Sequence, residues 1–152
     1  RQTGEYPKMW LNFPSIWALA GNDQMKMRFI SVVLVISILG IGMFYILHKK
    51  IKFTTPSIFM SILVWSVWTC LLFLPSMHER YGYMLDLLLV CFAFIEGKTY
   101  YQYAVVTCLC SLMTYGNYLF ELKVDIRWLS FLYVISYFHY IYYLSNNIKD
   151  AE

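Results

Sequence analysis

The chain has 152 residues, of which 60% are hydrophobic, 20% aromatic and only 14% charged, with a formal net charge of +3. Soluble domains carry about 25% charged residues, so the composition argues against an ordinary soluble domain. The basic residues are too few and too scattered for a nucleic-acid footprint, and the charges cluster so as to leave long uncharged runs, the mark of a polytopic α-helical membrane protein.

The chain begins at Arg1, with no basic segment leading into an apolar run and a small-residue cleavage site. The expectation is a single transmembrane domain, residues 1–152, forming the C-terminal portion of a longer polytopic protein. Residues 1–27 form an amphipathic lead-in. Asn12-Phe13-Pro14, then Ser15 to Ala20, then Gly21 predict a short helix, with proline suited to its first turn and glycine to its end. Trp10, Phe13, Trp17 and Ala20 share one side at helical spacing. Two readings stand: a helix lying along the membrane interface, where tryptophan anchors, or a re-entrant element walling a cavity.

Five apolar segments follow, predicting about five transmembrane helices. The first runs from about Phe29 to Leu47 and is followed by Lys49, Lys50 and Lys52. The second, Pro56 to Leu74, opens on one proline and is stopped by Pro75. The third is short, since only fifteen residues, Tyr81 to Ile95, separate Arg80 from Glu96, and it carries Asp86 within it. Glu96-Gly97-Lys98 makes a tight turn into the fourth, Tyr100 to Phe120. A mixed-charge loop, Glu121 to Arg127, leads to the fifth, Trp128 to Leu144, and a polar tail starts at Asn146. Counting Lys and Arg in short loops puts Lys49, Lys50, Lys52, Lys98 and Lys149 on the cytoplasmic side and Arg80, Lys123 and Arg127 on the outer side. Lys26 and Arg28, with Arg1 and Lys8, count against that orientation.

Chemistry concentrates in Leu74-Pro75-Ser76-Met77-His78-Glu79-Arg80-Tyr81-Gly82-Tyr83. Ser76-x-x-Glu79 before an apolar helix reads as a capping box, which starts the third helix at Met77 and leaves Glu79 first of all a cap. His78 and Arg80 then lie at a helix N-terminus, where free backbone N–H groups favour an anion. On an ideal helix the two diverge by about 200°, so Arg80 is expected to turn back or to pair with Asp125 or Glu121. His78, Gly82 and Asp86 share one broad side, with Asp86 about 12 Å deeper. An acid near a helix centre costs about 2.5–3.5 kcal/mol on insertion scales and faces protein or water.

Other constellations read as packing. The four cysteines lie inside apolar runs and behave as small hydrophobes. His139 reads as a satisfied interior histidine, and Tyr133, Tyr137 and Tyr140 as one packed side of the fifth segment. There is no metal-ligand spacing, no phosphate-binding glycine loop and no cofactor motif.

The stretch Pro75-Ser76-Met77-His78-Glu79-Arg80-Tyr81-Gly82-Tyr83, continued by Leu85-Asp86, resembles the Pro-x-Met-His-Glu-Arg-Tyr motif of bacterial membrane proteins similar to the mannosyltransferases of glycosylphosphatidylinositol-anchor synthesis. These belong to the GT-C type of polyprenyl-phosphate-sugar-dependent glycosyltransferases. Ser111-Leu112-Met113-Thr114-Tyr115-Gly116-Asn117-Tyr118-Leu119-Phe120 resembles that family's Ser-x-x-x-Tyr-x-x-x-Leu-Phe stretch, and Asn12 to Gly21 its segment before the last helices. The resemblance implies transfer of a hexose, mannose first, from a polyprenyl-phosphate donor to a glycan or lipid acceptor at the outer face of the cell membrane. It implies that His78 meets the donor phosphate, that Arg80 adds positive charge, and that Glu79 caps and orients, with Tyr81 beside them and Asp86 a buried supporting acid. It places the catalytic acid upstream of these residues, so none here is assigned as catalytic. The alternatives are a lipid-phosphate binder or transporter that does not transfer sugar, and a structural subunit in which the polar stretch is only a capped turn.

Overall fold

The computed structural model describes residues 9–20, 27–51 and 56–150. Gly21 as a helix stop, the charges of Arg1, Lys8, Lys26 and Lys52 in the orientation count, and the end of the tail at Ala151-Glu152 lie outside the described residues.

Among the described residues the protein is all-α apart from one two-residue strand pair. In chain order come β1 (Trp10–Leu11), α1 (Ile16–Ala20), α2 (Arg28–His48), α3 (Pro56–Phe73), β2 (Met77–His78), a 3₁₀ turn (Glu79–Tyr81), α4 (Gly82–Glu96), α5 (Lys98–Phe120) and α6 (Ile126–Asp150). All five apolar segments fold as helices. Two of them, α2 and α3, are long and apolar enough to cross a membrane. The expected five crossings are not reached on that criterion. The 15 residues of α4 rise only about 22 Å against a hydrocarbon core of about 30 Å, and α5 and α6 carry many Tyr, Ser, Thr and Asn side chains among their apolar ones.

Local chemistry sets the ends. Gly97 takes φ +90°, a backbone geometry that side chains disfavour, and turns α4 directly into α5. Glu121 ends α5 in the left-handed region at φ 51°. The Asn117 amide then clamps the following loop, donating to the Val124 carbonyl at 2.7 Å and accepting from the Val124 N–H at 3.0 Å. Asp125 accepts the Arg127 N–H at 2.9 Å, so it caps α6 and is committed to that role. The polar stretch after Asn146 is not a tail: α6 runs on to Asp150, with neither proline nor glycine to stop it.

The core lies between α3, α4, α5 and α6. Trp68 is wholly buried and meets the rings of Tyr133, Tyr137 and Tyr140 with centroids 5.4, 5.9 and 5.6 Å away, and that of Tyr103 at 6.3 Å. Buried tyrosine hydroxyls need partners, and several find them nearby. Tyr137 shares a hydrogen bond with Thr69 at 2.7 Å, Tyr140 donates to the Ser61 carbonyl at 3.0 Å, and Tyr103 shares one with His139 at 2.8 Å. Tyr133, Tyr137 and Tyr140 are thus the packed face that the spacing predicts. His139 differs: it is exposed on α6 and satisfied from one side by Tyr103.

The lead-in is not a surface helix. Met9, Phe13, Ser15 and Ala18 are almost wholly buried, and α1 packs on α6 and α3. The cause is a donor–acceptor match. Pro75 and the end of α3 leave the Phe73 carbonyl without a helical partner, and the Trp17 indole N–H donates to it at 2.8 Å in a buried setting. The segment packs into the interior, which the reading of a helix along the surface does not provide, and none of its described residues is among the cavity-lining side chains of the reading as a cavity wall.

Candidate functional site

After α3 stops at Phe73 the backbone does not re-enter an α-helix until Gly82. Ser76 takes φ 58°, its N–H donates to the Met9 carbonyl at 2.7 Å, and Met77 and His78 pair in parallel with Trp10 and Leu11. Asn12, also left-handed at φ 56°, closes a further bridge to His78. The lead-in therefore supplies the backbone partners of the polar stretch, and the capping box does not form. His78 is extended at φ −90°, ψ 154°, and neither the 3₁₀ turn nor α4 has a side-chain cap. The Ser76 hydroxyl instead accepts from the Arg28 guanidinium at 3.0 Å.

This geometry changes the placement of the charged side chains. With His78 extended rather than helical, the divergence of about 200° expected on a helix no longer applies. His78 and Arg80 line the same cavity, of about 750 Å³, between α2, α3 and residues 74–84. Its lining from α2 and α3 is mostly apolar, Val32, Val67, Cys70 and Leu71 with Ser66, and its lining from residues 74–84 is mixed, Ser76, His78, Arg80, Tyr81 and Tyr83 alternating with Leu74, Pro75, Met77 and Met84. Arg80 does not turn back to Asp125: its guanidinium lies 5.8 Å from the centroid of the Tyr81 ring, within cation–π range. Tyr81 also meets the His78 ring edge-on at 5.9 Å. Glu79 is buried behind this wall, its carboxylate 3.9 Å from His78 Nδ1. That is an ion-pair distance, too long for a hydrogen bond.

Asp86 is on the other side of α4. A side chain at Gly82 would meet the Ser111 hydroxyl at 3.0 Å and the Phe13 ring at 3.2 Å, so the side shared by 82 and 86 faces α5. The carboxylate of Asp86 meets the hydroxyls of Ser111 and Thr107, and its Oδ1 is sealed from solvent without a hydrogen-bond partner. Tyr115, one turn beyond Ser111, is within electrostatic reach of Glu79, Asp86 and Arg80. The stretches 75–86 and 111–120 thus meet in space at Gly82, Asp86 and Ser111. The expected crevice joining His78 to Asp86 does not form, because α4 begins only at Gly82 and residue 78 never enters its phase.

Sequence reasoning missed Arg28. It begins α2, 48 positions from Ser76, and counts in the sequence only as a charge against the preferred orientation. One signal was available: an arginine opens the most apolar helix, at the end where the helix dipole disfavours a cation. Among the described residues no group of three or more His, Cys, Asp or Glu side chains is placed to hold a metal ion. Compared with family models, curated proteins and solved structures, the chain matches none.

Proposed function

We propose that the chain is the donor-binding portion of a membrane glycosyltransferase that uses a polyprenyl-phosphate sugar, and that all five long helices sit in the bilayer. Large apolar side chains face outward on each: Phe29, Ile36 and Phe44 on α2, Phe59 on α3, Leu87 and Phe94 on α4, Leu112 and Leu119 on α5, Phe131 and Phe138 on α6. Apolar surface on this scale needs a cover, and lipid supplies it for a multi-pass protein of the cell membrane. The short α4 crosses only where the bilayer is locally thin or the cavity mouth dips inward.

The observation that carries the reading is the shape of the cavity's chemistry. The cavity joins apolar side chains of α2 and α3 to a histidine, an arginine and two tyrosines of residues 78–83, which suits a molecule with a hydrocarbon chain and a phosphate at one end. Arg80 and His78 would take the phosphate, with guanidinium geometry suited to its oxygens. Tyr81 would hold the Arg80 guanidinium and the His78 imidazole in place, and Glu79 would orient His78 from behind. In transfer, an acceptor hydroxyl oxygen bonds the sugar C1 and the C1–O bond to phosphate breaks. The electron pair goes to the phosphate oxygen and the hydroxyl proton to a carboxylate base. Stabilising the charge that develops on the departing phosphate is the part these residues could play. The resemblance of residues 75–86 and 111–120 to GT-C enzymes supports hexose, mannose first, as the group moved and a glycan or lipid as its acceptor.

The test is sugar transfer from a polyprenyl-phosphate donor by the whole protein in reconstituted vesicles. His78→Ala is expected to lower turnover by about two orders of magnitude while membrane insertion is unchanged. Unchanged turnover removes His78 from the reaction. A second reading, a lipid-phosphate binder without transfer, is favoured by one observation: neither Glu79 nor Asp86 lines the cavity. Lipid-phosphate binding with no transfer by the whole protein would select it.

A further inference from the structure

We propose that Asp86, Thr107, Ser111 and Tyr133 hold one sodium ion between α4, α5 and α6, and that the ion enters along the seam of α4 and α5. The proposal is independent of the lipid-phosphate reading above and concerns the side of α4 that faces away from the cavity.

The sequence sets two rows of polar side chains against each other. Glu79 and Gly82 are three apart across the 3₁₀ turn, where positions i and i+3 eclipse, and Asp86 follows one α-helical turn later on the same face. Thr107, Ser111 and Tyr115 repeat every four residues on α5. Gly97 folds α5 back on α4, so the rows run in opposite directions. The contacts follow that register. A side chain at Gly82 would meet the Ser111 hydroxyl at 3.0 Å, the Asp86 carboxylate meets the Ser111 and Thr107 hydroxyls, and Tyr115 is within electrostatic reach of Glu79. Tyr115 is half-buried while Ser111 and Thr107 are buried, so the rows lead from the surface to a closed end.

Two orphaned oxygens mark that end. Asp86 Oδ1 and the Tyr133 hydroxyl are both sealed from solvent, and neither has a hydrogen-bond partner. Tyr133 is only 1% exposed, and its hydroxyl lies within the field of the Asp86 carboxylate. The Phe13 ring touches both regions. It packs edge-on against the Tyr133 ring at 5.6 Å and would meet a side chain at Gly82 at 3.2 Å. Among the described residues no Lys, Arg or His pairs with Asp86. A buried carboxylate oxygen and a buried hydroxyl, each unpaired, are costly, and a cation bound between them satisfies both.

The donor set names the ion. All four side chains offer oxygen, which suits alkali and alkaline-earth ions over zinc or copper. One carboxylate balances one positive charge, whereas calcium takes about six to eight oxygens and magnesium demands a near-octahedral shell. The close approach of α5 at Gly82 favours sodium over the larger potassium. Thr107 directs its hydrogen to the Ala104 carbonyl at 3.3 Å, which leaves its lone pairs for the ion, and the Ser111 hydroxyl can rotate to do the same.

The test is thermal unfolding of the full protein in nanodiscs, with sodium chloride replacing N-methylglucamine chloride at constant ionic strength. About 100 mM sodium is expected to raise the unfolding midpoint by about 3 °C, and potassium at the same concentration by less than about 1 °C. Asp86→Asn keeps the shape of the side chain and should abolish the shift. Tyr133→Phe removes only the orphaned hydroxyl and should raise the half-saturating sodium concentration about tenfold. The proposal is overturned if wild type shows no sodium shift, if potassium gives an equal one, or if the shift persists in Asp86→Asn. A midpoint that follows pH and ignores sodium makes Asp86 a protonated acid and overturns it too. Should Asp86→Asn fail to fold, Tyr133→Phe decides, and an unchanged sodium affinity there is a rejection.

Discussion

Two regions of this molecule handle polar groups in opposite ways. In the aromatic core most hydroxyls are consumed internally, Tyr137 by Thr69 and Tyr140 by the Ser61 carbonyl, while the buried Tyr133 hydroxyl and Trp68 indole N–H have no hydrogen-bond partner. Around the cavity it is the backbone that is consumed. Met9, Trp10 and Leu11 pair with residues 76–78 and Trp17 with Phe73, while the side chains of His78, Arg80, Tyr81 and Tyr83 are left on the wall. The difference teaches how one chain of mostly apolar residues separates support from function. Where side chains bond one another the structure is finished, and where distant backbone holds a segment open, side chains are presented.

Substitutions can break or sharpen that contrast. The largest effect is expected at Trp68, whose ring meets four tyrosines. Trp68→Ala should destabilise by about 3–5 kcal/mol, read by chemical unfolding in detergent. Next, Gly42→Ala should cost about 1–3 kcal/mol by overpacking, because the new methyl would run into the Trp65 ring and force α2 away from α3. Trp17→Phe keeps the ring and removes the donor to the Phe73 carbonyl. It should cost about 1–2 kcal/mol and raise amide hydrogen exchange at residues 9–17 and 76–78 together, since the two segments hold each other. The smallest effect on stability is expected among the polar side chains of the cavity. Tyr83 is 62% exposed, and Tyr83→Ala should change unfolding by less than about 0.5 kcal/mol while weakening binding of a polyprenyl phosphate. If Tyr83→Ala were as destabilising as Trp17→Phe, the division between support and presentation would be wrong.

The helices were legible in the sequence because apolar runs, Pro56, Pro75 and Gly97 mark them directly. The polar stretch was legible as a place but not as a geometry. Ser76-x-x-Glu79 carries a capping signature that is purely local, and it lost to a long-range contact: the Met9 carbonyl and β1 recruit the backbone of 76–78. Nothing between residues 74 and 83 encodes that partner, so the divergence of His78 and Arg80, sound for a helix, did not survive. Asp86 was correctly read as facing protein, together with Gly82. Its separation from His78 follows from where α4 starts, which the same lost cap decided. Arg28 was invisible because its meaning lies in Ser76, across two helices.

The central claim is that the cavity between α2, α3 and residues 74–84 takes a lipid phosphate, its chain against the apolar side chains of α2 and α3 and its phosphate at His78 and Arg80. The most direct measurement is photolabelling of the full protein in nanodiscs with a diazirine-bearing polyprenyl phosphate, the labelled residues being mapped by mass spectrometry. The account predicts labels on Val67, Leu71 or Met84, lost when His78 and Arg80 are both replaced by alanine. Labels confined to the outward residues of α2, such as Ile36, Ile41 and Phe44, and indifferent to that double replacement, would contradict it.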